Sequence, residues 1–223
     1  MSPVALAAGL SQAVNVVREA GNRVAGIPEV AGSLAGRRKP KKLRVRVVIL
    51  RDEQGTPVVT PEDVEPSLAE ARRVLRDTLA IELLPAAEPL VRTLDVPAPP
   101  SALDSPCAEG SWQADFGDGG AFFRRHVEPG TVTGSAGPIT VFVVRDVLGK
   151  AGCSLGPLVD YVTVDMSALK SRRLRVLAHE LGHACGLPHS NVPENLMLPA
   201  RMGDRLQAWQ IAVFRSSRHV TAK

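Results

Sequence analysis

The sequence predicts an α+β fold of the α/β-type three-layer kind, a twisted mixed sheet with one internal helix and one C-terminal helix packed on it. Three observations predict it. Leu43, Val45, Val47 and Ile49 alternate with Arg44 and Arg46, the period-2 pattern of a half-buried strand. Dense apolar runs at 139–144 and 161–164 read as further strands. Val64, Leu68, Ala71, Val74, Leu75 and Leu79 recur at helical spacing and form one buried stripe.

Taken in order, the elements are β-α-β-β-β-α with one last helix after them. After the first strand, Thr60 or Asp63 caps a helix over 63–80, the later start being preferred because Pro66 suits a first turn. A strand lies near 89–96 and ends at Pro97, Pro99 and Pro100. Residues 101–138 are irregular and Gly-rich, with one helical turn around 120–126. The strands at 139–144 and 161–164 follow, and Asp165 and Ser167 lead into the internal helix. The last helix covers 204–217, with Leu206, Trp209, Ile211, Val213 and Phe214 expected to pack inward.

The internal helix carries the chemistry. Residues 179–189 read His-Glu-Leu-Gly-His-Ala-Cys-Gly-Leu-Pro-His, which is HExxHxxGxxH in full. At about 100° per residue, His179 and His183 lie on adjacent turns of one face and can converge on one tetrahedral ion. Glu180 flanks that face, where its carboxylate reaches a water without binding the metal. Gly186 lets the chain leave the helix in a conformation that a Cβ would resist. Pro188 stiffens the turn and His189 arrives as a third donor. Three neutral imidazoles leave a fourth position for water, as in a catalytic rather than a structural zinc site. With Leu174 as reference, Leu177, Ala178, Leu181 and Cys185 form a core stripe on the opposite side.

This pattern resembles the zinc-binding consensus of the metzincin metallopeptidases. Asn195-Leu196-Met197-Leu198-Pro199 is similar to the clan's Met-turn, with Met197 as structural support beneath the ligands. Ser190, directly after the third His, is matrixin-like, while no family within the clan is assigned. Tyr161 is the only Tyr and lies upstream, whereas astacins and serralysins use a Tyr after the Met-turn. The resemblance implies a metzincin-like catalytic domain with a zinc cleft between two subdomains. It implies one catalytic Zn2+ on His179, His183 and His189, with Glu180 as general base. The implied function is a zinc-dependent endopeptidase acting on peptide or protein substrates, with 191–199 walling the pocket for the side chain after the scissile bond. The edge strand before Tyr161 would align that substrate. The alternative is a zinc-binding recognition module without turnover, which requires a fourth protein ligand and has no need of Glu180.

Composition sets the remaining bounds. The chain has 223 residues, 44% of them hydrophobic, and a net charge of +4, enough for one compact domain with an appendage. Residues 43–223 are expected to form the zinc peptidase domain. Residues 1–42 are read as an N-terminal helical segment, over 3–24, and a basic linker. Two readings of that segment stand: a helix docked or left free, and a propeptide that blocks the site. No apolar run approaches the roughly 20 residues of a membrane span, and the N-terminus lacks the pattern of an ordinary signal peptide. The basic cluster from Arg37 to Arg46 reads as a solvated linker entering an edge strand with outward basic residues. No aromatic residues interleave with it, so no nucleic-acid partner is expected. Cys107 and Cys153 form either a disulfide or reduced thiols, with Cys107 as a zinc latch the third reading. Cys185 points to the core. His126 and His219 are read as surface residues.

Overall fold

A computed structural model of the chain describes residues 39–107, 115–127, 137–199 and 203–222. The expected helix over 3–24 and most of the linker lie outside these residues. The element order is β1 (Lys41–Arg51), α1 (Pro61–Leu79), β2 (Ile81–Pro85), β3 (Val91–Pro97) and α2 (Pro100–Leu103). It continues with α3 (Asp118–His126), β4 (Ile139–Val144), β5 (Gly152–Ser154), β6 (Tyr161–Asp165) and α4 (Met166–Lys170), then α5 (Val176–Ala184), α6 (Ala208–Arg215) and β7 (Val220–Ala222).

The sheet is mixed, in the order β2-β1-β4-β6-β5. β1 pairs in parallel with β2 over its first half, with β3 over its second half, and with β4 on its other side. β7 pairs antiparallel with the start of β1. β1 is therefore central, not the edge strand its basic residues suggested. The strand begins at Lys41, two residues before Leu43.

Register separates the two faces. Arg46 and Val48 of β1 align with Thr140 and Phe142 of β4, which align with Tyr161 and Thr163 of β6. This face receives α3: the Phe123 ring lies 4.8 Å from that of Phe142 and 5.0 Å from that of Tyr161. Arg46, expected to be outward and solvated, is 3% exposed, because α3 covers it and the carbonyl of His126 accepts from its guanidinium. The opposite face, with Val45, Val47, Val141, Val143, Val162 and Val164, packs against α1 and α5. The result is the expected three-layer α+β arrangement. Among the described residues no helix is long and apolar enough to cross a membrane.

Local chemistry explains the shifted boundaries. α1 starts at Pro61 with Thr60 as N-cap, and Asp63 Oδ2 accepts from the Thr60 backbone N–H at 2.9 Å. Pro66 is accommodated inside the helix, contrary to the preference for a start at 63. The helix ends at Ala80, whose φ of 52° is left-handed without glycine. Asp165 does not lead directly into α5. It caps the short α4, its Oδ1 accepting from the Ser167 N–H at 2.6 Å. Leu174, the reference of the core stripe, lies before α5 and is 40% exposed, whereas Leu177, Ala178, Leu181 and Cys185 are buried as expected.

Candidate metal centre

α5 runs between the sheet and α1, so most of its surface is enclosed and all nine residues from Val176 to Ala184 are buried. Its last turn is closed by Gly186, at φ 91°, and the chain then turns back through Leu187 and Pro188. The turn is held by the N–H of Leu187 donating to the carbonyl of Gly182 at 2.9 Å. His189 is thereby returned to the helix. One ring nitrogen each from His179, His183 and His189 lies within 4.8 Å of the others.

The tautomers are fixed by the backbone. His179 Nδ1 donates to the carbonyl of Leu196 at 2.8 Å, and His183 Nδ1 donates to that of Leu187 at 2.7 Å. In the neutral rings each Nε2 then presents a lone pair, and these two atoms lie 3.1 Å apart. Two lone pairs at that distance repel unless a cation sits between them. Two nitrogens bound at about 2.0–2.1 Å to a tetrahedral zinc would themselves be about 3.3 Å apart. The donor set therefore fits one such ion, with the carbonyl-oriented histidines characteristic of zinc sites. Among the described residues the group consists of these three histidines.

Glu180 is 4% exposed. It lies against β5, on the face of the sheet that packs α5. Gly152 and Ser154 align with Val164 and Val162 on that face. A Cβ built on Gly152 would sit 2.9 Å from Glu180 Oε1 and 2.8 Å from Cγ, so a side chain at Gly152 would have to displace this carboxylate. Cys153 points to the other face and is bonded to Cys107. This answers the choice left open between disulfide and free thiols, and it removes Cys107 from the donor set. Cys185 is free and buried.

Met197 is fully buried beneath the helix, and a Cβ on Gly182 would lie 2.6 Å from its Sδ. The small residue inside the motif is thus the seat of the methionine. The turn is held by a pair of buried amides that the sequence reading missed. Asn195 Oδ1 accepts from the Met197 N–H at 2.9 Å, and its Nδ2 donates to Gln210 Oε1 at 2.8 Å. Gln210 belongs to α6, so the C-terminal helix fixes the carbonyl that orients His179.

Several expectations change here. Trp209 does not pack inward: it is 46% exposed and lines the cleft beside His183 and His189. His219 is buried at 2% exposure, its Nδ1 donating to the carbonyl of Gly137 at 2.9 Å. His126 is half-buried against the Phe122 ring. Tyr161 faces α3, away from the histidines. It donates to Asp115 Oδ1 at 2.7 Å, and burial, then the Asp115 charge, pushes its phenol up.

The family model described as matrixin matches residues 159–211, the stretch from the end of the β5–β6 loop through the histidines and Met197 into α6. No curated protein gives a significant match. Among solved structures, metalloproteinase-II from Bacteroides fragilis is similar at a TM-score of 0.51 with 13% identity, over 82% of this chain and 54% of that one. The chain thus spans about half the length of that protein. A zinc-dependent peptidase from Methanocorpusculum labreanum matches at a TM-score of 0.43 with 16% identity, over 76% of this chain and 99% of that one. The chain therefore resembles the matrixins over its motif segment and shares the fold of the Bacteroides fragilis protein.

Proposed function

We propose that the chain is a zinc-dependent endopeptidase. The observation that carries this reading is the convergence of the three imidazoles beside a buried carboxylate roofed by an edge strand. A structural metal site has no use for Glu180 in that place. The matrixin match over 159–211 supports the same reading.

In this reading His179, His183 and His189 hold one zinc ion. When bound, zinc supplies Lewis acidity, polarising a carbonyl and acidifying water near neutral pH. Glu180 takes the proton of the attacking water and passes it to the leaving amine. The carbonyls of Leu196 and Leu187 keep His179 and His183 in the donor tautomer. β5, at the edge of the sheet, aligns an extended peptide by main-chain pairing, and the enclosure of Glu180 keeps bulk water from competing for its proton. Met197 supports the histidines from below.

The test is incubation of the zinc-loaded protein and its Glu180→Gln variant with a mixed peptide library, with cut sites read by mass spectrometry. The wild type is expected to cut within peptides. The variant should keep its zinc and lose about 10²–10⁴-fold in rate. Equal cutting by both proteins would remove Glu180 from the base role.

A further inference from the structure

The cleft beside the histidines extends beyond them. It has a volume of about 580 Å³ and is bounded by His183 and His189, by Ser154 and Pro157 after β5, and by Trp209 and Val213 of α6. Among the described residues no Asp, Glu, Lys or Arg lines it. Trp209 and Val213 are four residues apart in α6, on neighbouring turns, while Ile211 and Phe214 of the same helix are buried in the core. The indole Nε1 donates to Gln207 Oε1 at 2.8 Å. An exposed tryptophan beside a candidate reaction centre offers a face to a side chain.

Strand polarity says which side chain. Gly152 and Ser154 share the α5 face of the sheet, and Glu180 lies beneath Gly152. A peptide adding to the edge of β5 that pairs with no strand among the described residues, in the antiparallel sense that is the more stable pairing, runs opposite to it. The bond to be cut lies near Gly152. Residues beside Ser154 and Pro157 therefore precede that bond, and at about 3.3 Å per residue the cleft falls about two or three positions before it.

We propose that Trp209 and Val213 form a specificity subsite for an apolar or aromatic substrate side chain two or three residues N-terminal to the scissile bond. The assignment rests on the peptidase reading. It adds a determinant on α6 to the 191–199 wall expected for the residue after the bond.

The test compares wild type with Trp209→Ala and Trp209→Phe, using peptides that carry Phe or Ala at each of the three positions before the cut and at the first position after it. Wild type is expected to prefer Phe over Ala at the second or third position before the cut. Trp209→Ala should reduce that preference by about tenfold, with the loss in KM rather than kcat, as for binding shared by ground and transition states. Trp209→Phe should retain most of it. An unchanged preference in Trp209→Ala, or a change confined to the position after the cut, overturns the assignment. Calorimetric binding of the same peptides to the three proteins separates the two readings. If wild type cuts nothing, the peptidase reading fails and the position relative to a cut fails with it; tighter, Trp209-dependent binding of Phe peptides would then still support Trp209 and Val213 as an apolar side-chain site, and equal binding of Phe and Ala peptides would overturn that too.

Discussion

Replacing Gly152 by alanine tests the geometry of the carboxylate with a single methyl group. The new Cβ would lie 2.8 Å from Glu180 Cγ and 2.9 Å from Cδ and Oε1, where ordinary contact begins at about 3.4 Å. Something must move by about half an ångström. β5 is poorly placed to yield, since it pairs with β6 and its central residue is tied to Cys107. The Glu180 side chain is the softer partner, although its burial leaves it little room. Displacing a reacting group by 1 Å costs about 10²-fold, so the expected loss in kcat is about 10–10²-fold. Zinc content should stay at the wild-type level, because none of the three histidines is touched. Overpacking should lower stability by about 1–3 kcal/mol, which a melting curve reads separately. The assay is steady-state hydrolysis of a quenched fluorescent peptide, with metal content measured on the same samples. Activity within twofold of wild type in a folded, zinc-loaded variant would refute the reasoning.

Other outcomes follow from the same structure. The double substitution His183→Ala, His189→Ala should abolish stoichiometric zinc binding measured by atomic emission, and full-strength binding would place the metal elsewhere. Glu70 meets Arg73 and Arg175 at 2.8 and 2.9 Å, and those guanidinium groups, Arg73 first, hold its carboxyl down at about 2. Its contribution to stability is therefore complete above about pH 4.5 and is lost as the pH falls towards 2. Glu70→Gln should cost about 1–2 kcal/mol at pH 7, discounted for the part-exposed arginines, and its deficit should shrink across that window. A deficit that is flat between pH 7 and 2 would deny the ion pairs their role. A chain beginning at Lys39 should fold and bind zinc, whereas one beginning at Leu43 loses the pairing of Lys41 and Lys42 with β2 and β7 and should melt lower. Equal melting temperatures would show that those rungs contribute nothing.

The convergence of the three histidines was legible because its instructions are local. A four-residue spacing on one helix, a glycine at the exit and a third histidine after it specify convergence before any tertiary contact is known. The central strands were legible from their apolar density. β2 was not, since Ile81 and Leu83 continue the apolar pattern of α1 and the break falls on Ala80, a residue that gives no turn signal. β5 spans only three residues, too few for a period to register. Arg46 shows the limit of alternation: period 2 assigns a residue to a face, but not whether a helix covers that face. Trp209 fails in the opposite direction, because helical spacing cannot distinguish an apolar residue aimed at the core from one aimed at a cleft. The closeness of Gly152 to Glu180 joins segments that only the folded sheet brings together.

The amide pair linking Asn195 to Gln210 has a consequence for the order in which the molecule can be built. Synthesis delivers β1 early and the three histidines late, yet the carbonyl that aims His179 is fixed only when α6 has docked, and β7 then closes against the start of β1. A nascent chain can thus display all three histidines without holding them in register. Alignment of the proposed hydrolytic centre therefore depends on a helix that follows all three of its histidines in the chain.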